Sequence, residues 1–326
     1  MDMTPRNRKR LVLLCTLVLG CVVLSLCAGR YPSLSLRIPL TGEPLDRVIF
    51  LNIRLPRVLF SFIVGSVLGI CGLVFQTLLN NPMVEPGFLG VTQGASFGAA
   101  LGLFLFPPSA WTLQLMAIGF AFAAFGVTLL FAERIRGFHW LMRLVLAGIA
   151  SSALFSSALG LVKYYLDTND RLLQLTYWIM GGLKGAAWNE ILPILPVLTI
   201  AIGGMFAFRW RLNLLSLDDD TASSMSVNVR FERRLFFFGA VICTAVITAL
   251  VGNVGWVGLA APHVARRLFG ADLRWSFPAA GLTGAILVVL SDLIARTLFP
   301  VEIPISAITA AVGGALFIGI LSRKEK

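Results

Sequence analysis

Charge is scarce in this chain. Only 13% of its 326 residues are Asp, Glu, Lys or Arg, against 57% hydrophobic ones, a balance outside that of soluble globular domains. Histidine occurs twice, and the five cysteines (Cys15, Cys21, Cys27, Cys71, Cys243) form no CxxC pair. Neither a zinc site nor a disulfide framework is indicated, and the cysteines read as small apolar fillers. There is no GxxxxGKS/T phosphate loop, no HExxH and no GxSxG turn. The chain therefore lacks that route to ATP hydrolysis and any nucleophile or metal constellation for a membrane-embedded enzyme. Intramembrane acids are nearly missing too: Asp292 is the main exception, with Arg296 one turn away. A secondary transporter normally needs buried ion-coupling groups, so their scarcity points to energy supplied by another subunit. A proton-coupled secondary transporter relying on Asp292 is the alternative.

What is present is apolar sequence in long runs, near 11–29, 58–79, 87–106, 110–132, 141–165, 190–208, 235–252, 256–269, 276–299 and 303–321. A bilayer core of about 30 Å takes roughly 20 residues per helix, so the pattern predicts one all-α polytopic membrane domain over 1–326 with about ten spans. The net charge of +11 does not indicate nucleic acid. The basic residues sit at the ends of apolar runs, without the interleaved aromatics that single-strand binding needs. With both termini inside, Lys and Arg on that side outnumber those outside two to one, which orients termini and the 209–234 stretch to the cytoplasm.

That stretch, RWRLNLLSLDDDTASSMSVNVRFERR, is too polar for hydrocarbon. Leu212, Leu214, Leu215 and Leu217 precede Asp218-Asp219-Asp220, and Ala222, Met225 and Val229 recur at helical spacing. Two short amphipathic helices are predicted, with acids at the start of the second, where the helix dipole favours them. We read the stretch as a docking element for a soluble partner. Glycine recurs at Gly65, Gly69 and Gly72 and at Gly90, Gly94, Gly98 and Gly102, rows that allow close backbone approach in lipid. Between them lies a fixed cytoplasmic turn, Asn80 to Gly87. Thr176 to Leu183 fits an interfacial half-helix with Tyr177, Trp178 and Trp188 at headgroup depth. Gly252 to His263, with Gly255, Gly258 and Pro262, breaks an apolar run and is a candidate moving part of a pathway.

Several stretches together, in one order from Arg54 to the C-terminus, resemble a single family. They are Arg54–Arg57 (RLPR), Gly65 to Gln76, Asn81–Gly90 (NPMVEPGFLG), Leu146-Ala147-Gly148, Tyr177–Gly182 (YWIMGG), Gly255–His263 with Arg266, Asp292–Arg296 and Glu302-Ile303-Pro304. The family is the FecCD-type membrane permease of bacterial type II ABC importers for ferric siderophores, haem and cobalamin. The resemblance implies ten helices in the type II importer permease fold and a dimer, expected to be a homodimer, in the bacterial inner membrane. It also implies two cytoplasmic ATPase subunits, which carry ATP and Mg, and an external substrate-binding protein. It assigns ATPase coupling to Leu212, Asn213, Leu214, Leu215, Leu217, Asp218, Asp219, Ala222, Met225 and Val227. It assigns docking of the binding protein to Arg54, Arg57 and Arg296. No catalytic residue, metal or cofactor is expected on this chain. Where the family has glycines in the loop this chain has Asp218 and Ser226, and near the later break it has Asn253 and Trp256.

Overall fold

A computed structural model describes residues 5–29, 35–36, 44–107, 109–166, 170–225 and 228–322. Val227, Ser226, Arg30, Arg37, residues 167–169 and the basic residues after 322 lie outside these. Helices dominate. The only strands among the described residues are Ala28–Gly29 and Ser35–Leu36, paired antiparallel with Ala28 opposite Leu36.

The helix at the centre is α3, Leu55–Leu78, buried along nearly its whole length, whereas α1, Pro5–Cys27, is mostly exposed. Above α3 the chain is already helical: α2, Pro44–Ile49, runs through a π-turn, Phe50–Arg54, into α3, making a span from Leu45 to Leu78. The polar residues up to Arg57 predict an outer segment with a span from 58, yet the helix begins more than ten residues earlier. The arginines that suggested a loop find partners within the protein, as described below.

Around α3 stand α4, Val91–Leu105; α5, Ala110–Arg134; and α6, Trp140–Tyr165. A short α7, Arg171–Ile179, follows, then α8, Trp188–Ile191, and α9, Leu195–Ala207. The polar stretch forms α10, Arg209–Leu215, and α11, Asp219–Ser224, and α10 bends 60° away from α9. The chain returns through α12, Val229–Val251; α13, Val257–Phe269; α14, Leu273–Thr297; and α15, Ile305–Leu321.

Six of these helices are long and apolar enough to cross a membrane, or seven if α9 and α10 form one bent span. The expected count of ten is therefore not reached on length. At 1.5 Å per residue the 13 residues of α13 rise only about 20 Å, short of a bilayer core. The 87–106 window opens on a 3-10 turn ahead of the 15 residues of α4, and α13 fills the 256–269 window but is too short to span.

Glycine decides how the core closes. A Cβ on Gly65 would lie 2.2 Å from the Gly284 carbonyl oxygen, and one on Gly69 would lie 2.3 Å from that of Ala280. The α3 and α14 backbones are thus in direct contact. Gly94 and Gly98 meet α5 in the same way, at 2.4 Å from the Phe120 oxygen and 2.2 Å from the Met116 oxygen. Without a hydrophobic drive between helices in lipid, such backbone-level packing is the main attraction available.

Candidate functional site

Three places concentrate the polar groups of this apolar chain. The first is the α10–α11 elbow. Its leucines do not all face outward: Leu212, Leu215 and Ala222 are fully buried against the chain's own helices. Asp219 is held by Arg233 of α12 at 2.9 Å, and Arg211 of α10 pairs with Glu232. Asn213 points at the start of α14. Its Nδ2 donates to Asp272 Oδ1 at 2.9 Å, and its Oδ1 accepts from the Leu273 amide at 2.8 Å. Leu214 is half-buried. The exposed apolar surface of the elbow is therefore narrower than the sequence suggested: Trp210 near its start, then Leu217 at 42% exposure and Met225 at 53%, with exposed Asp218 and Asp220 between these two. An apolar pair flanking two acids suits a socket that is greasy inside and basic at its rim.

The second place is where two broken segments cross. After α3, Asn80 (φ 46°) turns the chain, a 3-10 turn, Pro86–Leu89, follows, and Gly90 (φ 82°) starts α4. On the other side Gly252 (φ 73°) ends α12, and the chain runs non-helically to Trp256 (φ 68°), where α13 starts. The crossing is tight. Glu85 Oε2 accepts from the Trp256 amide at 3.3 Å, and a Cβ on Gly258 would lie 2.3 Å from Pro86. Pro262 is buried inside α13, while Gly255 has open space beside it. A cavity of about 250 Å³ opens here, lined by Glu85, Gln93, Ser152, Thr248, Asn253 and Gly255 among others. Irregular backbone beside a polar cavity is the arrangement hydrocarbon tolerates. His263 Nδ1 donates to the Leu259 carbonyl, 3.1 Å away, and the ring packs edge-on against Phe317.

The third place is an ion cluster at the far end of α14. Asp292, fully buried, accepts from Arg57 Nε and Nη2, both at 2.9 Å. Arg57 Nη1 also donates to Glu302 Oε1 at 2.9 Å. The expected partner of Asp292, Arg296, stands further off at 3.5 Å and donates to Ser25 and to the Ala28 carbonyl. Arg54 is buried with its guanidinium against Gly29. The reading of Arg54, Arg57 and Arg296 as outward-facing docking residues meets a different geometry: side-chain exposure is only 12% at Arg57 and 10% at Arg296. Proximity in sequence suggested Arg296 for Asp292; the nearer partner is 235 residues away. Asp292, on which the proton-coupled alternative relies, is thus bound twice to a permanent cation. Beside this cluster a cavity of about 410 Å³ reaches Tyr177, Trp178 and Gly181–Gly185.

A bundle of apolar helices long enough to cross a membrane, interrupted by a polar elbow and a broken-helix cavity, is the architecture of a polytopic membrane protein. The chain belongs to the FecCD transport family, which matches residues 15–323. It is 35% identical to the molybdate import system permease protein MolB of Haemophilus influenzae, over 93% of this chain and 92% of that protein. It is 38% identical to the hemin transport system permease protein HmuU of Yersinia pestis, over 85% of this chain and 84% of that one. A solved structure described as an inward-facing metal-chelate type ABC transporter superposes with a TM-score of 0.89 at 35% identity, covering 96% of this chain and 99% of the other. The chain is accordingly a multi-pass membrane permease and not itself an enzyme.

Proposed function

We propose that the chain is the membrane subunit of an ATP-driven importer that moves a metal chelate from an external binding protein into the cytoplasm. A ferric siderophore is the first cargo to try, with haem and cobalamin next. Two copies would enclose the path, and two ATPase subunits carrying ATP and Mg would dock on the elbows. In this reading both termini and the elbow face the cytoplasm of a bacterial inner membrane, and this chain holds no cofactor.

The observation that carries the reading is the elbow. It has an exposed tip of Leu217, Asp218, Asp220 and Met225, and a base fixed by Asp219–Arg233, Arg211–Glu232 and Asn213–Asp272. A tip free for a partner, on a base fastened to two spans, is what a force-receiving element requires. The docking of a binding protein on Arg54, Arg57 and Arg296 remains part of the proposal in altered form: an incoming carboxylate would have to exchange with Asp292 or Glu302. The test is reconstitution of the chain in vesicles with its ATPase and binding protein, followed by uptake of a labelled ferric siderophore. ATP-dependent uptake is expected. Uptake that continues without ATP overturns the reading.

A further inference from the structure

Helix α14 touches both ends of the machinery. Its 25 residues begin at the elbow and finish in the ion cluster, so Asp272 and Asp292 stand about 30 Å apart along one helix. At the elbow end α10 grips the first turn of α14 rather than its side. Asn213 bonds both the Asp272 carboxylate and the Leu273 amide. One turn earlier on α10, Arg209 donates to the Arg274 carbonyl at 3.4 Å. Asp272 is itself the cap of α14, accepting from the Arg274 amide at 3.0 Å. The Asn213 amide thus completes the cap with an acceptor and a donor that α14 cannot supply.

At the opposite end Asp292 holds Arg57, and Arg57 holds Glu302. From there Ile305 N donates to the Gly181 carbonyl at 3.2 Å, and Ser306 Oγ to that of Met180 at 2.6 Å. These contacts fasten the end of α7 to the segment that follows α14. Between the two ends, α14 lies backbone-to-backbone on α3, so it cannot absorb a push at one end by bending into a gap.

We propose that Asn213 is a positioning residue that ties movement of the elbow to α14, and through the Arg57–Asp292–Glu302 cluster to α7. This rests on the importer reading above, but assigns Asn213 to the chain's own helix instead of to the ATPase surface. A partner tilting the elbow then drags the α14 cap with it; with the bond pair cut, the elbow moves and α14 does not follow.

The experiment uses the full transporter in vesicles and reads two quantities, ATP hydrolysed and ferric siderophore delivered. Asn213→Asp keeps the shape and the acceptor for Leu273 but sets a like charge on Asp272. Its ATPase should still co-purify and hydrolyse ATP, while substrate delivered per ATP falls about fivefold or more. The exchange Asn213→Asp with Asp272→Asn restores one donor and one acceptor and should return the ratio to within twofold of the parent. A parental ratio in the single variant, or no recovery in the exchange, overturns the proposal. So does loss of the ATPase from the single variant, which would place Asn213 on the docking surface. If Asn213→Asp does not fold, the exchange still decides: a folded but uncoupled double variant refutes the role. A parent chain that never retains an ATPase would instead fail the importer reading.

Discussion

Replacing Arg57 by Ala removes the main counter-charge of a carboxylate that is fully buried. Asp292 would keep only Arg296, 3.5 Å away and already donating to Ser25 and Ala28. Breaking a buried pair from one side costs about 3–5 kcal/mol, because the remaining charge stays desolvated. Glu302, at 31% exposure, reaches water more readily and adds little. The cost is therefore traceable to one carboxylate. Adding Asp292→Asn to Arg57→Ala should recover most of it, since a neutral amide needs no counter-ion. The assay is denaturant unfolding of each purified variant in one detergent, with the order of midpoints as the readout. An Arg57→Ala midpoint equal to the parent's would refute the reasoning, as would a double variant no better than the single one. Uptake adds a second check: parental uptake that follows an imposed proton gradient without ATP, and is lost in Asp292→Asn, would revive a proton relay.

Glycine substitutions should divide sharply by position. A Cβ on Gly72 would lie 1.9 Å from the Gly258 oxygen, whereas one on Gly126 or Gly160 meets nothing within 4 Å. Gly72→Val should abolish folded yield by size-exclusion chromatography, and Gly126→Ala should raise unfolding stability by up to about 1 kcal/mol, read as a slightly higher midpoint. Leu217→Glu with Met225→Glu should prevent co-purification of the ATPase while leaving the midpoint unchanged, because both side chains are exposed. Arg233→Met keeps an apolar stem but releases Asp219; limited proteolysis at the elbow should quicken, with unfolding little altered.

The elbow was legible because it is the long polar run between apolar ones, and its two short helices follow from leucine spacing and the acid cluster. Which of its faces meets a partner was not, since an amphipathic period marks an apolar face without saying what covers it. Leu212, Leu215 and Ala222 face the chain itself, and Asn213 reaches Asp272 from 59 residues away. The glycine rows announced close packing, but not that Gly65 would meet Gly284 and Gly94 would meet Phe120. The ion cluster was hidden for a related reason. Arg54 and Arg57 beside Pro56 look like an interfacial anchor, and only the folded chain brings Asp292 and Glu302 to them. The Leu45–Leu78 span was likewise obscured by Arg47, Arg54 and Arg57, charges that hydropathy counts against a helix.

The glycine seam between α3 and α14 also fixes a frame of reference. Two surfaces that touch through their peptide groups have no slack in which to slide, so the spacing across that seam should stay constant while other helices rearrange. Spectroscopic labels placed at the two ends of this pair would then serve as an internal ruler, against which the travel of helices outside the seam, such as α5 and α6, could be measured during turnover.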